Sequence, residues 1–269
     1  MLKLLERNVT SVSEHLTVLA SPSAALPSAF GNIEVDSRRY NAVLGDLQRL
    51  RGSVYVDDGA ISLADLTDDG RHDTAEDHKS WHLVMVDERR SIRGCIWYLE
   101  HSEPRFEELR VSRSPLAQDP RQAAQLRSAV EREIASARRE GIGYAEVGGW
   151  AVSKDSQMTD CLLLILGTYA LSQILGGAYV LATATVRHSS AAILRRLGGS
   201  PISGEGSDIA SYFDPHYGCE MELLRFDTRY PARKFVGLVD LIKAGYGALP
   251  IFAKPGFANH NSASALKVA

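Results

Sequence analysis

Apolar residues recur at intervals of three and four in several segments of the chain, and this spacing predicts helices. In the first segment, Asp36 or Ser37 is placed to cap the opening turn. In the second, Asp119 is placed to cap the first turn and Gly141 to end the helix. The predicted helices span residues 37–50, 119–141, 158–175, 190–198 and 234–244.

Short runs rich in β-branched and aromatic residues lie between these helices and predict strands. Two of them, at 81–86 and 93–99, are separated by a charged turn, which indicates an antiparallel hairpin. Further strands are expected at 144–152, 178–186 and 218–226. Residues 143–198 therefore run strand, helix, strand, helix, and the whole pattern predicts an α/β (α+β) fold.

At the two ends of the chain, the apolar residues follow no sustained helical or strand spacing. Residues 1–36 mix Ser, Pro and Ala with a few apolar positions, so we expect an irregular N-terminal arm that contains at most one short helix or strand. Residues 227–269 are expected to form one helix followed by a loose tail. The predicted domain lies between them, at 37–226, and it includes an acidic, turn-rich stretch at 56–80 that is long enough to be a functional loop.

Composition and charge exclude several classes of protein. The chain has 269 residues, 45% of them apolar, and a formal charge of −3 with acids and bases interleaved, so it lacks the basic face of a nucleic-acid binder. Cys95, Cys161 and Cys219 are far apart in apolar runs, which suits reduced thiols in the cytoplasm. The longest apolar run, from Cys161 to Gly177, is shorter than the roughly 20 residues of a transmembrane helix, so no transmembrane segment is expected.

The strand–helix repeat at 143–198 carries a resemblance to a known family. EVGGWAV on a predicted strand, an apolar helix, YVLATATV on the next strand and RHSSAAILRRLGG after it resemble the GNAT acyltransferase superfamily. The resemblance covers roughly residues 37–226. It implies a mixed, mostly antiparallel twisted sheet flanked by helices, with two central strands that splay apart around the pantetheine arm of an acyl donor.

The turn after the first of these strands departs from that family. Enzymes that use coenzyme A usually have a Gly-rich turn there, where backbone N–H groups meet a pyrophosphate, whereas this chain has SKDSQM. Such a turn can still hold one phosphate, which favours acyl carrier protein over coenzyme A as the donor. The acyl-phosphopantetheine is then a co-substrate, and no tightly bound cofactor is expected. The residues expected at the donor are Trp150, Val152, Ser153, Lys154, Ser156, Arg187 and His188. Capping and solvation account equally well for the last two.

The front half of the chain resembles a narrower group of enzymes. Arg51, Tyr55, an acidic loop with Asp73 and Asp77, and Glu146 follow one another as in the autoinducer (acyl-homoserine-lactone) synthases and the long-chain N-acyl amino acid synthases. Those enzymes transfer acyl groups from acyl carrier protein to an amino group. The resemblance implies that the first four residues bind the acceptor, although ion pairing alone also accounts for Arg51.

Two departures from the autoinducer pattern bear on the acceptor. That pattern has an arginine shortly after the hairpin glycine, where this chain has Trp97 and Tyr98, and another at the position of Gly149. Their absence weakens the case for S-adenosylmethionine and favours an amino acid or a similar small amine. The acidic loop matches no metal-binding spacing, so no metal site is expected.

Amide formation from a thioester needs a base for the amine proton and donors for the oxyanion. Glu146 is the expected base, acting directly or through water; the alternative is a structural glutamate bonded to an arginine on the neighbouring strand. Gly148 and Gly149 in mid-strand indicate either a bulge that points N–H groups at the thioester carbonyl or tight packing under a large neighbour such as Trp150.

We therefore predict an N-acyltransferase that moves a medium or long acyl chain from acyl carrier protein to the amine of an amino acid or similar small acceptor. A coenzyme A-dependent GNAT N-acetyltransferase is the alternative among enzymes, and a non-catalytic acyl-binding module is the alternative outside them. The N-acyltransferase for medium or long chains requires a tunnel, because each buried CH₂ of the acyl chain contributes about 0.8 kcal/mol. The coenzyme A-dependent acetyltransferase requires only a short cleft.

Overall fold

Ten strands of the described residues form one sheet. The computed structural model describes residues 15–204 and 207–255. Its strands are β1 (Leu16–Leu19), β2 (Ile33–Val35), β3 (Trp81–Val86), β4 (Ile92–His101), β5 (Gly143–Val152), β6 (Ala178–Thr185), β7 (Ser200–Pro201), β8 (Tyr212–Asp214), β9 (Cys219–Asp227) and β10 (Ile251–Ala253). Their order is β2-β10-β1-β3-β4-β5-β6-β9-β7, and β8 pairs with β9.

The sheet is mixed and mostly antiparallel. The pairs β2–β10, β10–β1 and β5–β6 are parallel, and the remaining pairs are antiparallel. β3 and β4 form the expected antiparallel hairpin, with Trp81 opposite Tyr98. The fold class predicted from the sequence is confirmed.

Six α-helices of the described residues flank the sheet on both faces. They are α1 (Ser37–Asp57), α2 (Pro115–Gln118), α3 (Ala123–Glu140), α4 (Met158–Ile174), α5 (Ser190–Arg196) and α6 (Val236–Gly245). The back face, which includes Leu83, Ile96 and Ala145, packs against α4 and α6. The front face packs against α1 near Cys95 and against α3 near Leu181.

Helix α4 is the core helix that the sequence predicted. Every residue from Leu162 to Ser172 is buried, because the helix lies between the back face of the sheet and α6. A helix that is apolar on all sides is stable only when it is enclosed in this way.

The helix ends agree with the sequence at some positions and not at others. Asp36 caps α1 as predicted, accepting hydrogen bonds from the backbone N–H groups of Arg38 and Arg39. Gly141 ends α3 in the left-handed conformation, also as predicted. Asp119, however, does not cap α3. It follows the short helix α2, and α3 begins at Ala123 without a side-chain cap.

Segments near both ends of the chain contribute strands that the sequence did not predict. β1 lies between β10 and β3, and its four residues are buried, although they were expected in an irregular arm. β10 was expected in a loose tail, and it pairs with both β1 and β2. Strands of three or four residues are too short to show a period, so pairing with the sheet decides their conformation. The rest of the predicted arm before residue 15 and of the tail after residue 255 lies outside the described residues.

β5 and β6 separate part of the way along their length. They pair from Gly143 opposite Ala178 as far as Val147 opposite Ala182. Beyond this point β5 continues beside β4 as far as Val152, and β6 continues beside β9 as far as Thr185. The splayed central strands expected from the sequence are therefore present.

A β-bulge lies where β5 leaves β6. The register with β4 shifts between Trp97 opposite Gly148 and Cys95 opposite Ala151, and Gly149 has a φ of 62°. A Cβ atom on either glycine would overlap the indole ring of Trp97. Both readings of the glycine pair, a bulge and tight packing, therefore apply, but the ring that packs there belongs to Trp97 rather than to Trp150.

Replacing Gly149 by alanine should destabilise the fold more than the same change at Gly141. Both glycines have a positive φ, but a Cβ at Gly141 meets no atom within 4 Å. Gly141→Ala should therefore cost about 1 kcal/mol for the backbone conformation. Gly149→Ala adds the overlap with Trp97 and should cost about 2 to 4 kcal/mol.

The measurement is the free energy of unfolding from urea titrations of the two variants and the wild type. Equal losses in the two variants would show that Trp97 does not require glycine at the bulge.

Candidate active site

Glu146 lies on the front face of β5, beside the point where β5 and β6 separate. Its side chain is enclosed, with a residue exposure of 4%. The carboxylate Oε1 accepts a hydrogen bond from the backbone N–H of Arg110 (2.8 Å), and Oε2 lies 3.0 Å from Nε2 of His101. Glu146 is thus held from two sides. Its partner on the neighbouring strand is a histidine and not the arginine of the structural alternative.

His101 is a residue that sequence reasoning missed. β4 extends two residues beyond its predicted end, and alternation places Trp97, Leu99 and His101 on the same face as Glu146. The alternation can be read from the sequence once β4 is extended. The register that sets Leu99 opposite Glu146, and so brings His101 within reach of it, cannot be read from the sequence.

A cavity of about 660 Å³ adjoins this pair. Glu146 and His101 form part of its wall, together with residues of the acidic loop and of the segment after β4. The other charged residues of the wall are Glu76, Lys79, Glu100, Glu103, Glu108, Arg110 and Arg113. Desolvation raises the pKa of Glu100 to about 6. The wall thus carries several carboxylates and a few cations, which suits a small polar ligand.

The acidic loop is tied to the far side of the cavity through Glu76. Its carboxylate lies 2.9 Å from Arg113 and 3.5 Å from the guanidinium of Arg110. The guanidinium of Arg110 also lies 5.4 Å from the ring of Trp97. Because the backbone N–H of Arg110 holds Glu146, this segment connects the loop, the bulge and the carboxylate.

The structure brings Arg51 and Asp77 together as an ion pair with each other. Their side chains are 1% and 0% exposed, and Arg51 donates to both carboxylate oxygens of Asp77. Gln48 also donates to Asp77 at 3.1 Å. Although desolvation opposes it, hydrogen bonding to Arg51 holds the pKa of Asp77 down at about 2. Arg51 therefore forms the ion pair that the alternative interpretation expected. The Arg51–Asp77 pair joins α1 to the acidic loop.

The other two predicted acceptor residues lie beside this pair. Asp73 accepts hydrogen bonds from Gln48 and lies 2.9 Å from Nε2 of His78. The hydroxyl of Tyr55 is 3.4 Å from the carbonyl oxygen of Trp150, on the splayed part of β5. Desolvation raises the pKa of Tyr55, so the hydroxyl keeps its proton.

The predicted donor residues lie at the open end of the splay. Ser153 and Ser156 contact each other at 2.9 Å through their hydroxyls in the turn before α4. Trp150 and Val152 lie on the splayed part of β5, and the buried Nε1–H of Trp150 has no hydrogen-bond partner among the described residues. His188 belongs to a short 3₁₀ helix that follows β6.

Two acidic residues at the end of α1 meet the two cations of this region. Lys154, after β5, lies 3.1 Å from Asp57. Arg187, after β6, lies 3.5 Å from the carboxylate of Asp58 and donates to its carbonyl oxygen at 3.0 Å. The end of α1 therefore spans the opening between the two strands, and each cation already has a nearby carboxylate.

Among residues 15–204 and 207–255, no group of three or more His, Cys, Asp or Glu side chains is arranged to hold a metal ion. In the same residues, no helix combines the length and the apolar character needed to cross a membrane.

Two buried histidines should make stability depend on pH. Nε2 of His82 lies 2.9 Å from the carbonyl oxygen of Asp77, and desolvation lowers the pKa of His82 to about 4. Desolvation, with help from the charge of Arg51, lowers the pKa of His72 to about 4 as well. Between about pH 6.5 and 4 the unfolded chain binds protons that the folded chain does not, so stability falls as the pH falls.

His82→Gln should reduce this dependence. For one such histidine, the loss of stability between about pH 6.5 and 5 is about 2 kcal/mol. Urea unfolding of the wild type and of His82→Gln across this range measures the difference. Parallel curves for the two proteins would show that His82 is not held neutral by the fold.

Comparison with known proteins supports the fold. No family model matches the chain, and no curated protein is similar to it. Among solved structures, the coenzyme A-dependent acyl-homoserine lactone synthase BjaI, with SAM and isopentyl-CoA, is similar, with a TM-score of 0.54 and 14% identity over 89% of this chain and 93% of that chain. TofI, in a ternary complex with an inhibitor and MTA, has a TM-score of 0.52 and 14% identity over 85% of this chain and 98% of that chain. The chain therefore has the fold of the acyl-homoserine lactone synthases, as its resemblance to them predicted.

Proposed function

We propose that this protein is an N-acyltransferase that moves a medium or long acyl chain from acyl carrier protein to the amine of an amino acid or a similar small acceptor. One observation carries the proposal. The point where β5 and β6 separate, at Val147 and Ala182, lies directly beside Glu146 and its cavity. A thioester entering between the strands would meet an amine held in the cavity.

The splay supports the donor half of the reaction. Beyond Val147, β5 pairs with β4 and no longer with β6, so the edge of β5 that faces β6 is not engaged by that strand. Backbone groups at such an edge need partners, and the amides of a pantetheine arm can supply them.

The charge at the open end supports a donor with one phosphate. Ser153, Lys154 and Ser156 stand after β5 and Arg187 after β6, but Asp57 and Asp58 lie beside the two cations. Carrier-protein phosphopantetheine carries one phosphate, whereas coenzyme A carries three. Added carboxylates oppose the more highly charged donor.

The cavity supports the acceptor half. Carboxylates of the wall such as Glu103, Glu108 and Glu146 attract an ammonium group, and Lys79 and Arg113 supply positive charge for an acceptor carboxylate. Arg51, Tyr55, Asp73 and Asp77 contribute from behind this wall by fixing the acidic loop against α1.

The bulge supports the chemistry at the carbonyl. The amine attacks the thioester carbon, and the oxyanion that forms needs N–H donors. Gly148 and Gly149 place backbone N–H groups in a bulged segment at the separation point. The Glu146–His101 pair lies beside it to receive the amine proton.

Free thiols support a cytoplasmic location. Cys95, Cys161 and Cys219 form no disulfide, as suits a reducing compartment.

Acyl transfer from coenzyme A is the second candidate. It is favoured by the fold similarity to BjaI, which is described as coenzyme A-dependent. Both donors present the same thioester on the same pantetheine arm, so the choice between them rests on the phosphates and on the carrier protein.

Glu146→Gln should abolish most of the activity. The purified protein is supplied with acyl carrier proteins or coenzyme A carrying acyl chains of different lengths, and with individual amino acids, and products are identified by mass spectrometry. We expect N-acyl amino acids from the carrier-protein donors and a loss of about 10²- to 10⁴-fold in Glu146→Gln, because the amine proton loses its route.

Glu133→Gln is the matched control, since Glu133 pairs with Arg225 away from the cavity. It should leave the rate unchanged. Product from coenzyme A donors alone would overturn the carrier-protein assignment, and no amide from any donor would overturn the proposed function.

Removing the two acids at the end of α1 should change donor selectivity. In Asp57→Asn with Asp58→Asn, the ratio of kcat/KM for acyl-coenzyme A to that for the acyl carrier protein should rise about two- to five-fold, the size expected for exposed ion pairs. Asp46→Asn, which alters an ion pair elsewhere on α1, is the control. An unchanged ratio would show that these acids do not select the donor.

A further inference from the structure

We infer that His101 is the group that takes the proton from the attacking amine, and that Glu146 acts as its positioning partner. The inference rests on the proposed function and deepens it. It replaces a lone glutamate base with a histidine–carboxylate pair built across two neighbouring strands, β4 and β5.

The geometry of the pair carries the inference. Nε2 of His101 lies 3.0 Å from Oε2 of Glu146, and the two side chains are 12% and 6% exposed. A carboxylate oxygen can only accept, so the hydrogen bond places the imidazole proton on Nε2. Nδ1 is then left with a lone pair. In the Ser-His-Asp triad the carboxylate holds Nδ1–H and the lone pair is on Nε2, so the pair here has the opposite tautomer.

Glu146 is less suited to receive the proton itself. Its Oε1 already accepts from the backbone N–H of Arg110 at 2.8 Å, and its Oε2 is engaged by His101. Nδ1 of His101, in contrast, has no hydrogen-bond partner among the described residues, and His101 forms part of the cavity wall. A small amine in the cavity can therefore approach an imidazole that is held in one tautomer.

Several charged and titratable groups lie around His101. Glu146 faces it from β5, and Tyr144 lies opposite it in register. Glu100 precedes it on β4, and the remaining charged residues of the wall are Glu76, Lys79, Glu103, Glu108, Arg110 and Arg113. Glu76 is paired with the two arginines.

The proton moves from nitrogen to sulfur in two steps. The acceptor reacts as its uncharged amine, after its ammonium proton has passed to solvent. The amine nitrogen bonds to the thioester carbon, the carbonyl electron pair moves to oxygen, and Nδ1 of His101 takes one proton from nitrogen. The carbonyl then re-forms, the C–S bond breaks, and the imidazolium returns the proton to the departing sulfur. The products are an amide and a free thiol, and His101 is neutral again.

His101→Gln tests the role directly. Glutamine can still donate a hydrogen bond to Glu146, but it has no basic lone pair. With octanoyl carrier protein and the amino acid that the wild type acylates fastest, the rate should fall about 10²- to 10⁴-fold. His216→Gln is the control, because His216 is exposed and lies outside the cavity wall. It should keep the wild-type rate.

Chemical rescue separates a catalytic role from a structural one. Imidazole should raise the rate of His101→Ala at least about ten-fold. Substituted imidazoles should raise it further as their basicity increases. A histidine that only supports the wall would give no dependence on basicity.

The pH profile tests the part assigned to Glu146. The charge of the carboxylate acts on an imidazole 3.0 Å away, so Glu146→Gln should change the pH dependence of the rate as well as lowering the rate. The profile is measured with a weakly basic amine such as a hydrazide, which stays uncharged over the range.

The outcomes distinguish this inference from the proposed function. A His101→Gln rate close to the wild type, with Glu146→Gln inactive, would make Glu146 the base and overturn the inference while leaving the function intact. A wild type that forms no amide from any donor would overturn both.

Discussion

The separation of β5 and β6 after Val147 and Ala182 is the constraint on which the rest of the structure depends. Two neighbouring strands that stop pairing leave a row of backbone donors and acceptors that must find other partners. The bulge at Gly149, the ring of Trp97 over it and the end of α1 across the opening are all arranged around this gap. The gap is also where an amide-containing ligand is best accommodated.

The buried pair of Arg51 and Asp77 holds the region around the gap in shape. A charge buried without its partner costs several kcal/mol, so α1 and the acidic loop are coupled through these two side chains. Arg51 also fills the space above Gly149, since a Cβ there would lie 2.9 Å from its guanidinium. The same side chain thus stabilises the loop and explains why the bulge needs glycine.

The two sides of the candidate site differ in electrostatic character. At the open end of the splay, Lys154 and Arg187 are each matched by a carboxylate of α1. At the cavity, Glu76 is matched by two arginines, and Glu103, Glu108 and Glu146 add further carboxylates to the wall. A phosphate-bearing donor on the first side and an ammonium-bearing acceptor on the second fit this distribution, with Glu146 and His101 between them.

The sequence by itself determined the longer helices and strands and the turn chemistry at Asp36 and Gly141. These features depend on periods and caps that act within one segment. The resemblance at 143–198 also predicted the splayed pair of strands, and the two adjacent glycines indicated either a bulge or tight packing, because these are local signals.

Tertiary structure alone decided which distant residues meet. β1 and β10 become strands because they pair with each other and with the sheet. Arg51 pairs with Asp77 because α1 lies on the acidic loop. His101 reaches Glu146 because of the register between β4 and β5. Strand register depends on packing over the whole sheet, and a shift of one residue would turn His101 to the opposite face. No local pattern in the sequence carries that information.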